Sequence, residues 1–230
     1  MSERNIVFTE GETYHVYNRG IDKRKIFFSK GDWKHFQRLL FTCNSTKPIK
    51  KASRVQGVSL DIRDTIERGD TLVDIYAYAM MPNHFHLLVH EKREAGITKY
   101  MSKLLTAFAM YMNKKYNRTG PLMCRPFRAK HVDRDEYFRW LFAYIHLNPL
   151  ELEESEWKEK GIKHLHNARK FLKEYRYSSY LDYFGKEREE SLILNKEALP
   201  MDVSDLENPA RMLKEYQAYV QGNPLDIGDR

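Results

Sequence analysis

The sequence predicts an α+β fold, a ferredoxin-like antiparallel sheet with helices on one face and the active site on the other. Three observations predict it. Short segments rich in β-branched and aromatic residues fall at 13–19, 72–81, 84–91 and 127–132. Two longer stretches with an apolar period near 3.6 residues, at 30–43 and 97–116, are interleaved with them. The two central strands are separated only by the turn-prone Pro82-Asn83, so they form a hairpin. The resulting order, β-α-β-β-α-β-α, is that of helices packed on an antiparallel sheet.

Each element follows from its own residues. TYHVYNR at 13–19 alternates as a strand does, and Gly20 ends it before IDKRKIF leads on. Trp33, Phe36, Leu39, Leu40 and Cys43 recur at helical spacing. Residues 44–70 are polar and charge-rich and read as an insertion or exposed loop. In the second helix Ile97, Met101, Leu104, Leu105, Phe108 and Met112 form one apolar stripe that belongs to the core. FRAKHV at 127–132 is a short strand. Asp133 and Glu136 have the spacing of a capping box opening a helix at Arg134, which Pro149 closes near Leu147 or Asn148. Beyond it lie two charged helical segments, EWKEKGIKHLHNARKFLKEY and NPARMLKEYQAYVQG. The expected organisation is one domain over 1–150 and a helical C-terminal extension over 151–230.

The chain of 230 residues is 42% hydrophobic and 13% aromatic, enough for a sizeable core. A formal charge of +7 favours polyanionic partners. No stretch approaches the roughly 18–20 apolar residues of a membrane span, and the first twenty residues carry no signal-like apolar block. The two cysteines, Cys43 and Cys124, form no CxxC pair, which excludes a cysteine-based zinc site and fits a reducing compartment. The expectation is a cytoplasmic protein.

MMPNHFHLLVH at 80–90 carries the chemistry. On a strand alternate side chains share a face, so Phe85, Leu87 and Val89 point to the helices while His84, His86, Leu88 and His90 point away. Two imidazoles at i and i+2 can hold one divalent ion, and can equally be histidines hydrogen-bonded on a half-exposed sheet. Tyr144 and Asn148 lie one turn apart on one helical face, so an amide oxygen able to complete a two-histidine site stands beside a candidate nucleophile. A tyrosine hydroxyl, with a pKa near ~10, attacks phosphorus only once deprotonated, and the phosphotyrosine it forms conserves the bond for rejoining.

YHVYNRG, MPNHFHLLVH, FRAKHVDRDEYFRWLFAYIHLNPLE and YRYSSYLDYFG follow one another in an order and spacing that resemble the single-tyrosine HUH transposases, the insertion-sequence transposases of the HUH endonuclease fold. The ending YIxxNP and the SSY segment are most similar to the branch called REP-associated tyrosine transposases (RAYT). The resemblance covers about residues 11–43 and 72–184. It implies that His84 and His86 bind a divalent metal, Mg²⁺ or Mn²⁺, that Asn148 is the third ligand, and that Tyr144 is the nucleophile. It implies a nucleoid-associated bacterial enzyme that cleaves and rejoins single-stranded DNA, often beside a hairpin, through a 5′-phosphotyrosine. Ligand chemistry alone favours Mn²⁺ for two imidazoles and one amide. A monomer is expected over a homodimer. The competing reading is a host-retained nucleic-acid-binding protein without strand-transfer activity.

The stretch 113–131 holds Lys114, Lys115, Arg118, Arg125, Arg128 and Lys130 and no acidic residue. Interleaved with Tyr116 and Phe127, these residues are candidate DNA contacts, as is Arg19. His164 and His166 form a second HxH, but on a helix they diverge by about 200° and cannot share a metal. His131 and His146 are expected to be structural or DNA-facing, and His90 lies too far along its strand to join His86 at one ion.

Overall fold

The structure, a computed structural model, describes residues 6–47, 69–185 and 187–222. Most of the insertion expected at 44–70 therefore lies outside the described residues. Its two ends are held together. Asn44 accepts the backbone N–H groups of Leu72 and Val73 through its amide oxygen (2.9 and 3.0 Å), and Thr46 N–H donates to the Asp70 carbonyl (2.8 Å).

The strands are β1 (Thr13–Arg19), β2 (Val73–Met81), β3 (His84–Glu91) and β4 (Arg128–Val132). They form one four-stranded sheet in the order β2-β3-β1-β4, with every neighbouring pair antiparallel. Helices α1 (Lys30–Thr42) and α2 (Gly96–Lys115) supply the crossovers. This is the ferredoxin-like arrangement the element order predicts. The helices pack on one face over Tyr14, Val16, Tyr78, Met80, Phe85, Leu87 and Val89. Glu91 closes the frame at the start of α2, its buried carboxylate accepting the Gly96 and Ile97 N–H groups (3.0 and 2.6 Å).

The second face is also covered. Helix α3 (Asp135–Leu147) lies across it and runs directly into a 3-10 turn, Asn148–Leu152. Ala77 and Ala79 of β2 present small side chains there beside Leu88, so α3 packs close with Leu141, Ala143, Ile145 and Leu147 buried. After the turn come α4 (Trp157–Lys160), α5 (Leu165–Glu174), α6 (Tyr180–Phe184) and α7 (Pro209–Gly222). Met212, Tyr216 and Tyr219 of α7 share one apolar core with α3, Trp140 stacking on Tyr219 at 4.9 Å.

One local expectation changes. The N-cap of α3 is Arg134 with no side-chain cap, so Asp133 and Glu136 do not make a capping box; Asp133 pairs with Arg134 at the surface instead (3.5 Å). Helix α3 ends at Leu147, as Pro149 predicts, although Asn148 before the proline stays in the helical region. Asn148 keeps φ −51° and ψ −39° because the chain turns into a 3-10 helix there and tolerates proline in its first turn.

The SSY segment proves to be a latch. Ser178 bridges Ala79, Tyr177 accepts the Met80 N–H (2.9 Å), and Ser179 N–H donates to the Tyr78 carbonyl (2.9 Å), so the segment covers the outer edge of β2. Ser179 Oγ also accepts the Tyr78 N–H (2.9 Å) and lies 2.7 Å from His146 Nε2 on α3. One hydroxyl thereby ties the edge of the sheet to the helix that carries Tyr144. Among the described residues no helix is long and apolar enough to cross a membrane.

Candidate active site

Strand register assembles the site. On the face turned towards α3, Arg19 of β1 sits opposite His84 of β3, Tyr17 opposite His86, and His15 opposite Leu88. On the other side of β1, Arg128 of β4 sits opposite Tyr17 and Lys130 opposite His15. At the end of the sheet where β1 finishes and β3 begins, a cavity opens. It is lined by His84, His86, Tyr144, Tyr17, Asn18, Arg19, Lys23, Asn83, Cys124, Arg128, Glu151 and Lys158. The two histidines and the tyrosine singled out from sequence thus meet at one wall, with the His86 and Tyr144 rings 5.4 Å apart and perpendicular (82°). Tyr144 stacks on Trp140 (5.3 Å, 9°), which fixes the plane of its ring.

Each histidine ring is oriented through its Nδ1. His84 Nδ1 lies 2.7 Å from Asn83 Oδ1. The Asn83 amide nitrogen donates to the Lys23 carbonyl (3.2 Å), which leaves its oxygen turned to the ring. An amide oxygen only accepts, so His84 Nδ1 carries a proton and donates it to Asn83. His86 is 1% exposed, and its Nδ1 lies 2.9 Å from His15 Nε2. Burial, then the neighbouring His84 and Lys158, hold its pKa well below the ordinary imidazole value. Partners that orient a ring through its second nitrogen are the usual support of a metal-binding histidine.

Asn148 lies one turn beyond Tyr144, fully buried, and does not line the cavity. Neither its amide nitrogen nor its amide oxygen has a hydrogen-bond partner among the described residues. An orphaned buried amide costs about 1–3 kcal/mol, which a ligand would recover. No group of three or more His, Cys, Asp or Glu side chains forms a metal cluster among the described residues. The Asn148 amide oxygen, although outside the cavity lining, is of a donor type that a divalent ion accepts. Imidazole nitrogens and an amide oxygen together are donors that suit a divalent ion.

The basic stretch does not form one surface. Arg128 reaches the cavity, as does Arg19. Arg125 is exposed next to the lining residue Cys124, and Lys130 lies over the Tyr137 ring (4.9 Å), where burial lowers its pKa. Lys114 and Lys115 end α2, on the opposite layer, and Arg118 follows them half-buried. Lys115 is committed to the buried carboxylate of Asp32 (2.6 Å). His146, His131, His90, His164 and His166 lie outside the cavity lining. His146 is fully buried and its pKa falls to about 3 through burial; His131 lies 2.8 Å from Glu12, and His90 lies 3.3 Å from Thr13 Oγ1. His164 caps α5 and His166 faces a separate surface hollow on that helix, so the second HxH holds nothing together.

Sequence reading missed His15, Tyr17, Lys23, Asn83, Glu151 and Lys158. The first two carried a signal, since they alternate with Arg19 on β1. Which face they share with the histidines depends on the β1–β3 register, which no local pattern supplies.

Residues 32–148 match the IS200-like transposase family. Among solved structures, one of a REP-associated tyrosine transposase bound to a REP hairpin aligns with a TM-score of 0.49 and 11% identity, covering 83% of this chain and 90% of that one. No curated protein matches the chain. The family match takes in three of the four strands, both crossover helices and the whole of α3, including His84, His86, Tyr144 and Asn148. The chain belongs to the IS200-like transposase family.

Proposed function

We propose that the protein cleaves and rejoins single-stranded DNA through Tyr144. The observation that carries this reading is the meeting of Tyr144 with His84 and His86 at one cavity whose wall holds four cations, Arg19, Lys23, Arg128 and Lys158, against one carboxylate, Glu151. A phosphodiester is the anion such a wall receives.

The arginines and lysines draw the backbone phosphate in, and Tyr17 offers a ring against which an unpaired base stacks. Trp140 and Tyr216 hold the Tyr144 ring in place (5.3 and 6.2 Å). His84 and His86, with the Asn148 oxygen as third ligand, would hold a divalent ion, Mg²⁺ or Mn²⁺, which would supply charge neutralisation at the phosphate. Tyr144 loses its proton, its Oη bonds to phosphorus and the P–O3′ bond breaks. The departing oxygen takes up a proton as a free 3′-OH, leaving a 5′-phosphotyrosine. The reverse attack by a 3′-OH reseals a strand without an external energy source. Both histidines and the tyrosine come from one chain, which supports a site complete in a monomer. The motif resemblance to the REP-associated branch makes hairpin-flanked strands the substrate of choice.

A hairpin-bearing oligonucleotide mixed with the protein and Mn²⁺ is expected to give an SDS-resistant adduct. Tyr144→Phe is expected to abolish the adduct and keep DNA binding. An undiminished adduct in that variant removes Tyr144 from the role. Binding by the wild type with no adduct under any divalent ion leaves the host-retained binding protein as the better reading.

A further inference from the structure

The cavity wall is completed by a segment that lies beyond the family-matched region 32–148. Glu151 sits on the 3-10 turn that follows α3, and Lys158 on the four-residue helix α4. Trp157, fully buried with its ring 5.0 Å from that of Tyr216, anchors α4 on the C-terminal core. Its neighbour Lys158 turns back into the cavity, where Nζ lies 5.3 Å from the centre of the Tyr144 ring and 2.9 Å from Glu151 Oε2. The Lys158 side chain is 22% exposed and that of Glu151 is 41% exposed.

An ordinary surface ion pair explains little of this. Such pairs contribute about 0–1 kcal/mol and have no reason to be set against a nucleophile. The other three cations of the wall, Arg19, Lys23 and Arg128, belong to β1, the turn after it, and β4. Lys158 is the cation that enters from the Tyr144 side. It is also close enough to His86 to act on that ring electrostatically. A phosphate seated between the histidine pair and Tyr144 lies within reach of its flexible stem.

We infer that Lys158 is a catalytic residue of the strand-cleavage reaction, contacting a non-bridging oxygen of the scissile phosphate as Tyr144 attacks. Glu151 holds the ammonium in the empty cavity and releases it when the phosphate enters. The ammonium keeps its protons throughout, so the bonds made and broken remain Tyr144 Oη–P and P–O3′. Its contribution is to the charge that gathers on the phosphoryl oxygens, which an aligned cation stabilises more in the transition state than in the bound substrate. The inference rests on the Tyr144 reading above.

The test separates rate from binding. Single-turnover adduct formation at saturating hairpin oligonucleotide is measured beside oligonucleotide affinity for the wild type, Lys158→Met, Lys158→Arg and Lys160→Met. Lys160 is on the same short helix but pairs with Glu156 (2.7 Å), away from the cavity lining, and controls for loss of charge. Lys158→Met is expected to slow adduct formation about 100-fold or more while affinity changes less than about threefold. Lys158→Arg is expected to recover at least about a tenth of the wild-type rate, and Lys160→Met to match the wild type. Thermal unfolding of each variant shows whether it is folded; the arginine variant, which preserves the pair with Glu151, decides the matter if the methionine variant is not. A Lys158→Met rate within about threefold of wild type, a loss confined to affinity, or an arginine variant no faster than methionine overturns the inference. If the wild type itself forms no adduct, the Tyr144 reading falls and takes this one with it; an active wild type beside an equally active Lys158→Met overturns this one alone.

Discussion

Replacing Ser179 with alanine isolates the latch that holds α3 on the sheet. The hydroxyl accepts the Tyr78 N–H at 2.9 Å and lies 2.7 Å from His146 Nε2, and both Ser179 and His146 are fully buried. Its removal leaves two buried polar groups without that partner. At about 1–3 kcal/mol for each unsatisfied group, Ser179→Ala is expected to cost about 2–6 kcal/mol. Urea unfolding at pH 7.5 measures the loss. Because half of it comes from stranding the imidazole, the cost should shrink when His146 is already gone. Ser179→Ala, His146→Leu and the double variant form a cycle whose coupling is expected to be about 1 kcal/mol or more. Adduct formation by Ser179→Ala is expected to fall more than DNA affinity does, since Tyr144 lies two residues before His146 on α3. A cost below about 0.5 kcal/mol, or strictly additive variants, would falsify the idea that this hydroxyl joins helix to sheet.

Three further outcomes follow from the geometry. His15→Phe keeps a ring on β1 but removes the nitrogen beside His86 Nδ1, and Mn²⁺ affinity measured by titration calorimetry is expected to weaken about 10–100-fold. Unchanged affinity would mean that His15 does not orient His86. Arg128→Ala removes one cation of the cavity wall and is expected to lower the slope of log affinity against log salt by about 0.7 for single-stranded DNA, with an unchanged slope counting against a phosphate contact. Stability is expected to depend on acid through His146. Its pKa falls from 6.5 unfolded to about 3 folded, so the unfolded chain binds the extra proton between those values. The contribution is complete above pH 6.5 and is lost as pH falls towards 3, at up to about 1.4 kcal/mol per pH unit. His146→Leu removes that slope, and equal slopes in urea melts of the two proteins between pH 6.5 and 5 would show the imidazole is not held neutral.

The candidate site was legible in part because strands and helices write their faces into the sequence. Alternation separated His84 and His86 from Phe85, Leu87 and Val89, and the structure packs the latter three under α1 and α2. Helical spacing put Asn148 one turn from Tyr144. The dense basic stretch misled by proximity, because a turn between α2 and β4 sends Lys115 to Asp32 on one layer and Arg128 to the cavity on the other. The SSY segment was legible as a motif but not as a latch, since its partners Tyr78 and His146 are remote in the chain.

The sequence by itself determined the elements, the ferredoxin-like order and the residue types of the chemistry. Periodicity and turn residues are local properties, and a strand or helix reports its buried face wherever it finally packs. Only the tertiary structure decided that β1 lies beside β3 with Arg19, Tyr17 and His15 on the histidine face. Only the tertiary structure, too, covered the second face with α3 and α7 and brought Glu151 and Lys158 to Tyr144. Register and the docking of distant segments are set by the summed packing of side chains from several elements, and no stretch of the chain carries that sum alone.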